Sequence, residues 1–137
     1  MKNIPGELAP CGVFCGACPS IYKSCLGCAS ENQNQKRKSK WNCRIRKCCY
    51  EEMEKSFCIY CAQFPCDKIN KKLINSHPGE IKFKYRHEIS ENLSKLDEMG
   101  IGDYFEYQRQ RWSCPSCGGR VVFYDYTCIE CGKDVVV

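Results

Sequence analysis

The chain has 137 residues, with 21 Lys and Arg against 16 Asp and Glu, and 15 of its residues are cysteine. That length suits one or two small domains with a thin apolar core, so the expected staple is metal rather than oil. No apolar run is long enough to span a bilayer, and the first ten residues lack the apolar stretch of a secretory signal. The expected home is therefore the cytoplasm, where thiols stay reduced. An odd number of cysteines cannot all pair within one chain, which further favours metal thiolates over disulfides. Charge is uneven: residues 1–72 hold 13 Lys and Arg against 6 Asp and Glu, whereas residues 73–110 hold 5 against 7. Each four-thiolate zinc site carries a formal charge near −2, so the basic excess is expected to offset thiolate charge. A basic patch then says less about nucleic acid than it would elsewhere.

Three segments follow in order: a cysteine-rich, loop-dominated module over 1–72, a cysteine-free helical segment over 73–111, and a ribbon over 112–137. The expected fold class is a small metal-stapled α+β protein. It combines an irregular zinc module with short helices, a helical linker and a C-terminal three-stranded zinc ribbon.

The first segment opens with Cys11-x3-Cys15-x2-Cys18, then Cys25-x2-Cys28. Residues 30–40 are polar and low in complexity and read as an exposed loop. Within that loop Lys36, Arg37, Lys38 and Lys40 precede Trp41, which sets charge beside an aromatic platform. These five residues are the candidate nucleic-acid contact. The alternative is a solvated loop beside a packed Trp. Cys43-x4-Cys48-Cys49 follows, on a short helix expected over 45–56. Cys58-x2-Cys61-x4-Cys66 then leads through a turn into a helix over 69–74.

Pairs of cysteines three apart grip one tetrahedral ion and usually partner a second pair. One workable partition sets Cys25 and Cys28 with Cys43 and Cys48, and Cys15 and Cys18 with Cys58 and Cys61. Cys11 and Cys66 are then left for a third or bridged site, and Cys49 is the spare. His77 could complete a site of three thiolates. An alternative is a water-bearing metal site among the leftover ligands, for which Asp67 and Glu51 are the nearby carboxylates. The Cys11-x3-Cys15-x2-Cys18 spacing is also that of the radical enzymes that use S-adenosylmethionine. Their barrel does not fit into 137 residues.

In the second segment Tyr85, Ile89, Leu93, Leu96 and Met99 recur at three- and four-residue steps, the stripe of an amphipathic helix. Gly100 stands where a C-terminal cap belongs, and Asp103 is the expected N-cap of a second helix. Tyr104, Phe105, Tyr107 and Trp112 are expected to pack between helices and ribbon. The third segment carries Cys114-x2-Cys117-x10-Cys128-x2-Cys131, two knuckles each followed by Gly, with strands expected over 120–124 and 133–137. Four thiolates fill a tetrahedral shell, so this site is a folding staple with no open position for catalysis. Four thiolates also suit iron, and zinc is the expected ion.

Taken together these residues resemble a cysteine-rich prokaryotic family, a domain of unknown function regarded as zinc-binding. The likeness rests on Cys11-Gly12, Cys15, Cys18-Pro19, Tyr22, Cys25, Gly27, Cys28, Trp41, Cys43, Ile45-Arg46 and Cys48. It continues through Cys58, Cys61 and Phe64-Pro65-Cys66 to Asn92-Leu93, Leu96, Gly100-Ile101, Gln108, Arg111-Trp112 and the ribbon. The resemblance implies metal binding and a cytosolic home in bacteria or archaea, and it implies no activity. The expected cofactor is Zn2+, about two to four per chain, on the four ribbon cysteines and on Cys11, Cys15, Cys18, Cys25, Cys28, Cys43, Cys48, Cys58, Cys61 and Cys66. The alternative is one [4Fe–4S] cluster in the N-terminal module. No catalytic constellation is recognisable. The expected function is a non-catalytic module that binds a protein or nucleic acid. The alternative is a redox or metal-handling protein.

Overall fold

The computed structural model describes residues 4–137; the first three residues, part of the N-terminal stretch read above for a signal, lie outside it. Residues of all three segments meet in one core. Leu8, Phe14 and Phe57 from the first pack with Leu93 and Leu96 from the second and Val121 and Phe123 from the third. A smaller cluster of Ala9, Cys15 and Ile21 lies beside it. Aromatic residues do much of the filling: Tyr85 stacks on Phe123 with ring centroids 3.8 Å apart.

Helices are short until the second segment. Helix α1 (Arg44–Lys47) runs on through a wider π turn at Cys48–Glu52. Helix α2 (Asp67–Ile69) continues the same way over Asn70–Ile74. Helix α3 (Lys84–His87) and helix α4 (Ile89–Met99) are separated at Glu88, and helix α5 (Ile101–Arg111) follows Gly100. The predicted stripe is buried at Tyr85, Ile89, Leu93 and Leu96, but Met99 is exposed because it falls in the last turn of α4. Gly100 takes φ +86°, a left-handed value that favours glycine and ends α4. It also precedes α5 directly, so α5 starts earlier than expected. Asp103 lies in its first turn, where a carboxylate suits the helix dipole, rather than at its cap.

The ribbon has two strands, not three. Strand β1 (Val121–Val122) pairs antiparallel with β2 (Thr127–Cys128). The stretch expected as a third strand contributes a single bridge, Thr127 to Asp134. Two backbone bonds flank that bridge, Cys128 N–H to the Lys133 carbonyl and Val135 N–H to the Tyr126 carbonyl, and pairing stops beyond them, where Val136 is fully exposed. No helix among the described residues is long and apolar enough to cross a membrane.

Four long-range ties set the N-terminal loops. Buried Asn92 on α4 donates to the Gly12 carbonyl at 3.0 Å. Gly12 takes φ +101°, and a Cβ there would stand 2.9 Å from the Ile89 carbonyl oxygen, so the loop carrying Cys11 needs glycine to sit on α4. Arg120 of the ribbon donates to the carbonyls of Gly16 and Cys18 at 3.2 and 3.1 Å. The Cys58 amide donates to the Pro10 carbonyl at 2.9 Å, which ties Cys58 to the residue before Cys11.

Candidate metal centre

The ribbon thiols form a group ready for one ion. Cys114, Cys117, Cys128 and Cys131 all bring their sulfurs within 4.8 Å of one another. Two of the separations are 3.7 Å (Cys114 to Cys131) and 3.5 Å (Cys117 to Cys128). A tetrahedral ion with bonds of about 2.3 Å to sulfur sets its thiolates about 3.8 Å apart, so the spacing fits. The knuckle backbone turns its amides onto the sulfurs: Gly119 N–H donates to Cys117 Sγ and Glu130 N–H to Cys128 Sγ, each at 3.4 Å. Amides of Cys117 and Ser116 lower the Cys114 thiol to about 6, whereas its thiol neighbours raise Cys117 to about 12 despite the Gly119 amide. Four crowded sulfurs cannot all ionise by themselves, and a bound dication removes that conflict.

The eleven N-terminal cysteines divide differently from the partition drawn above. Cys11, Cys15, Cys18, Cys25 and Cys28 line one cavity of about 180 Å³. Cys48, Cys49, Cys58, Cys61 and Cys66 line another of about 20 Å³. Cys48 therefore stands with Cys58, Cys61 and Cys66 rather than with Cys25 and Cys28, and Cys15 and Cys18 stand apart from Cys58 and Cys61. Cys43 lines neither cavity; its sulfur lies 3.9 Å from Lys72 Nζ. Among the described residues, only the ribbon brings three or more ligand atoms within 4.8 Å of one another.

The Cys25–Cys28 loop is built as a knuckle. Gly27 N–H donates to Cys25 Sγ at 3.3 Å and Cys28 N–H to Cys15 Sγ at 3.4 Å. Gly27 takes φ +99°, and a Cβ on it would collide with the Gly6 carbonyl. The Cys15 thiol donates toward Cys28, which lowers Cys28 to about 6, with Arg37, Lys40 and Arg46 adding to the effect. Burial pushes Cys11 up to about 12. In the smaller cavity Cys49 is buried, donates to the Lys55 carbonyl at 3.2 Å and is lowered by its contact with Cys58.

The candidate nucleic-acid residues part company. Lys40 is 3% exposed. Its ammonium donates to Gly27 O at 2.8 Å, Ser30 O at 3.0 Å and Gln35 Oε1 at 2.9 Å. Burial pulls its pKa down while the Cys25 and Cys28 thiols oppose that. Trp41 is half-buried, with Lys40 and Arg46 at 4.6 and 4.7 Å from its ring, and its indole nitrogen is buried. These two residues are therefore packing and bracing groups. Arg37 lines the larger thiol cavity. Lys36 and Lys38 are exposed, and Lys38 reaches Gln33 O at 3.1 Å.

His77 stacks on Phe83 with centroids 4.0 Å apart and pairs with Glu80, so it supplies no thiol site. Arg46, part of the resemblance above, donates to the Cys28 carbonyl at 2.7 Å. Sequence reasoning missed two residues beside the thiols, Lys72 and Arg86, which line the larger cavity. Only their fold-dependent placement identifies them. Comparison with family models, with curated proteins and with solved structures gives no match.

Proposed function

We propose that this chain is a zinc-thiolate module whose metal holds the fold and whose surface serves a macromolecular partner. The observation that carries the reading is the convergence of four ribbon sulfurs within 4.8 Å. A tetrahedral ion so held keeps no open position for water or substrate, which favours a structural role over Lewis-acid chemistry. Cys48, Cys58, Cys61 and Cys66 around a cavity of about 20 Å³ would draw in a second single ion. Cys49 lines the same cavity and is tied to the Lys55 carbonyl. Membership of the cysteine-rich prokaryotic family and a cytosolic home, where such thiols stay reduced, belong to the same proposal.

A protein partner is favoured over nucleic acid, because Lys40 is buried on carbonyl oxygens and Arg37 lines a thiol cavity, which leaves Lys36 and Lys38 as the basic residues of the run that stand clear of the thiols. The test is metal analysis of anaerobically purified chain, followed by chelation with a thermal melt. Zinc in the chain and collapse of the cooperative melt on chelation are the expected results. A metal-free chain with an unaltered melt would overturn the reading. Duplex or single-stranded nucleic acid titrated against the protein at rising salt tests the partner class. Tight binding that weakens steeply with salt would reverse the choice of protein.

A further inference from the structure

We infer that the larger N-terminal cavity is the site of a polynuclear iron–sulfur cluster, a [4Fe–4S] centre drawing four ligands from Cys11, Cys15, Cys18, Cys25 and Cys28. This deepens the metal-thiolate reading and rests on it.

Size is the first argument. The ribbon thiols crowd to the edge lengths of one tetrahedral ion, as a mononuclear site requires. The five N-terminal thiols instead ring a cavity of about 180 Å³; Cys15 and Cys28 touch, but no three of the five approach within 4.8 Å. Thiolates bound to separate irons of a cubane stand farther apart than thiolates on one ion, because inorganic sulfide fills the space between them. The smaller cavity also brings no three thiols within 4.8 Å, so the contrast within the module is one of volume, about 20 Å³ against about 180 Å³.

The second argument is preorganisation of the sulfurs. Backbone amides of Gly27 and Cys28 point at Cys25 Sγ and Cys15 Sγ. The ribbon knuckles turn amides on sulfur in the same way, and such hydrogen bonds tune iron–sulfur centres. Cys15 and Cys25 are buried, each about 5% exposed, so solvent reaches them poorly.

Charge is the third. A four-thiolate [4Fe–4S]2+ centre carries a formal charge of about −2. Arg37, Lys72 and Arg86 line the cavity. Behind the knuckle, Lys40 and Arg46 hold the carbonyls of Gly27 and Cys28. The wall nearest the thiols is thus cationic, while Val13, Ile21, Leu73, Tyr85 and Phe123 supply an apolar lining.

The full chain, purified or reconstituted anaerobically with iron and sulfide, tests this. About four irons and four sulfides per chain are expected beside the ribbon zinc, with a broad brown absorption that dithionite bleaches. Cys15→Ser and Cys25→Ser should each lose most of that iron while keeping the ribbon zinc and a cooperative melt of the full chain, the melt reporting that the N-terminal module still folds. Cys49→Ser, outside the cavity, should keep all of it. Zinc in place of iron at these thiols would overturn the cluster and leave the zinc-thiolate reading standing. Iron that survives both Cys15→Ser and Cys25→Ser would also overturn the assignment. A chain that holds no metal at all would overturn both.

Discussion

The ribbon and the N-terminal module use the same ligand to different ends. In the ribbon, four sulfurs are brought together by two local turns and one short strand pair, and they already stand at single-ion distances. In the N-terminal module the thiols are spread around two cavities of unequal size, and distant groups hold them. Those groups are Asn92 on Gly12, Arg120 on Gly16, Arg46 on Cys28 and the Cys58 amide on Pro10. A site coded by local spacing needs only its own two turns and the metal to form. A site assembled by tertiary contacts depends on the whole fold.

The sharpest way to break this comparison is to remove one ribbon ligand. Cys114→Ser should abolish ribbon zinc and unfold the ribbon, since structural zinc contributes on the order of 10–16 kcal/mol to such small units. Loss of one zinc per chain and of ribbon amide dispersion by NMR would be the readout. An intact ribbon would show that its strands and core suffice.

Next comes Lys40→Met, which leaves the carbonyls of Gly27 and Ser30 without their buried cation. Hydrogen bonds to a charged group contribute about 1.5–3 kcal/mol, so urea unfolding should register a loss of that order. The N-terminal metal should weaken and the ribbon zinc should not. Equal loss of metal from both regions would contradict their separation.

Gly12→Ala forces an L side chain into φ +101° against the Ile89 carbonyl. A cost of about 1–3 kcal/mol is expected in the same unfolding assay. Asn92→Ala, which removes the buried donor to Gly12, should cost about 1–2 kcal/mol. Either change should loosen the Cys11 loop before the ribbon, which hydrogen exchange would resolve. The smallest effect is reserved for Lys36→Ala with Lys38→Ala. These exposed residues should shift stability by no more than about 0.5 kcal/mol. A large loss there would mean that the polar loop is braced by more than Lys40.

Legibility follows the same divide. The α4 stripe is visible because Ile89, Leu93 and Leu96 recur at a helical period, and the ribbon because its knuckles have fixed spacing. The break at Glu88 and the early start of α5 are not visible, since tertiary packing and a left-handed Gly100 decide them. The third ribbon strand is overread: residues 133–137 are rich in valine, but pairing stops beyond Val135 and leaves Val136 fully exposed. Lys40 sits in a run that reads as solvated charge, and only the fold aims the carbonyls of Gly27 and Ser30 at it. Grouping of the N-terminal cysteines stays hidden for a similar reason. Pairs of the form C-x2-C are interchangeable in sequence, and contacts such as Cys58 to Pro10 select which pairs meet.

Zinc K-edge X-ray absorption on the intact chain tests the central claim most directly. The account predicts a first shell of four sulfurs at about 2.3 Å with no nitrogen or oxygen scatterer. A shell containing oxygen or nitrogen would contradict it, because the ion would then hold an open or mixed site rather than the closed thiolate staple described for Cys114, Cys117, Cys128 and Cys131.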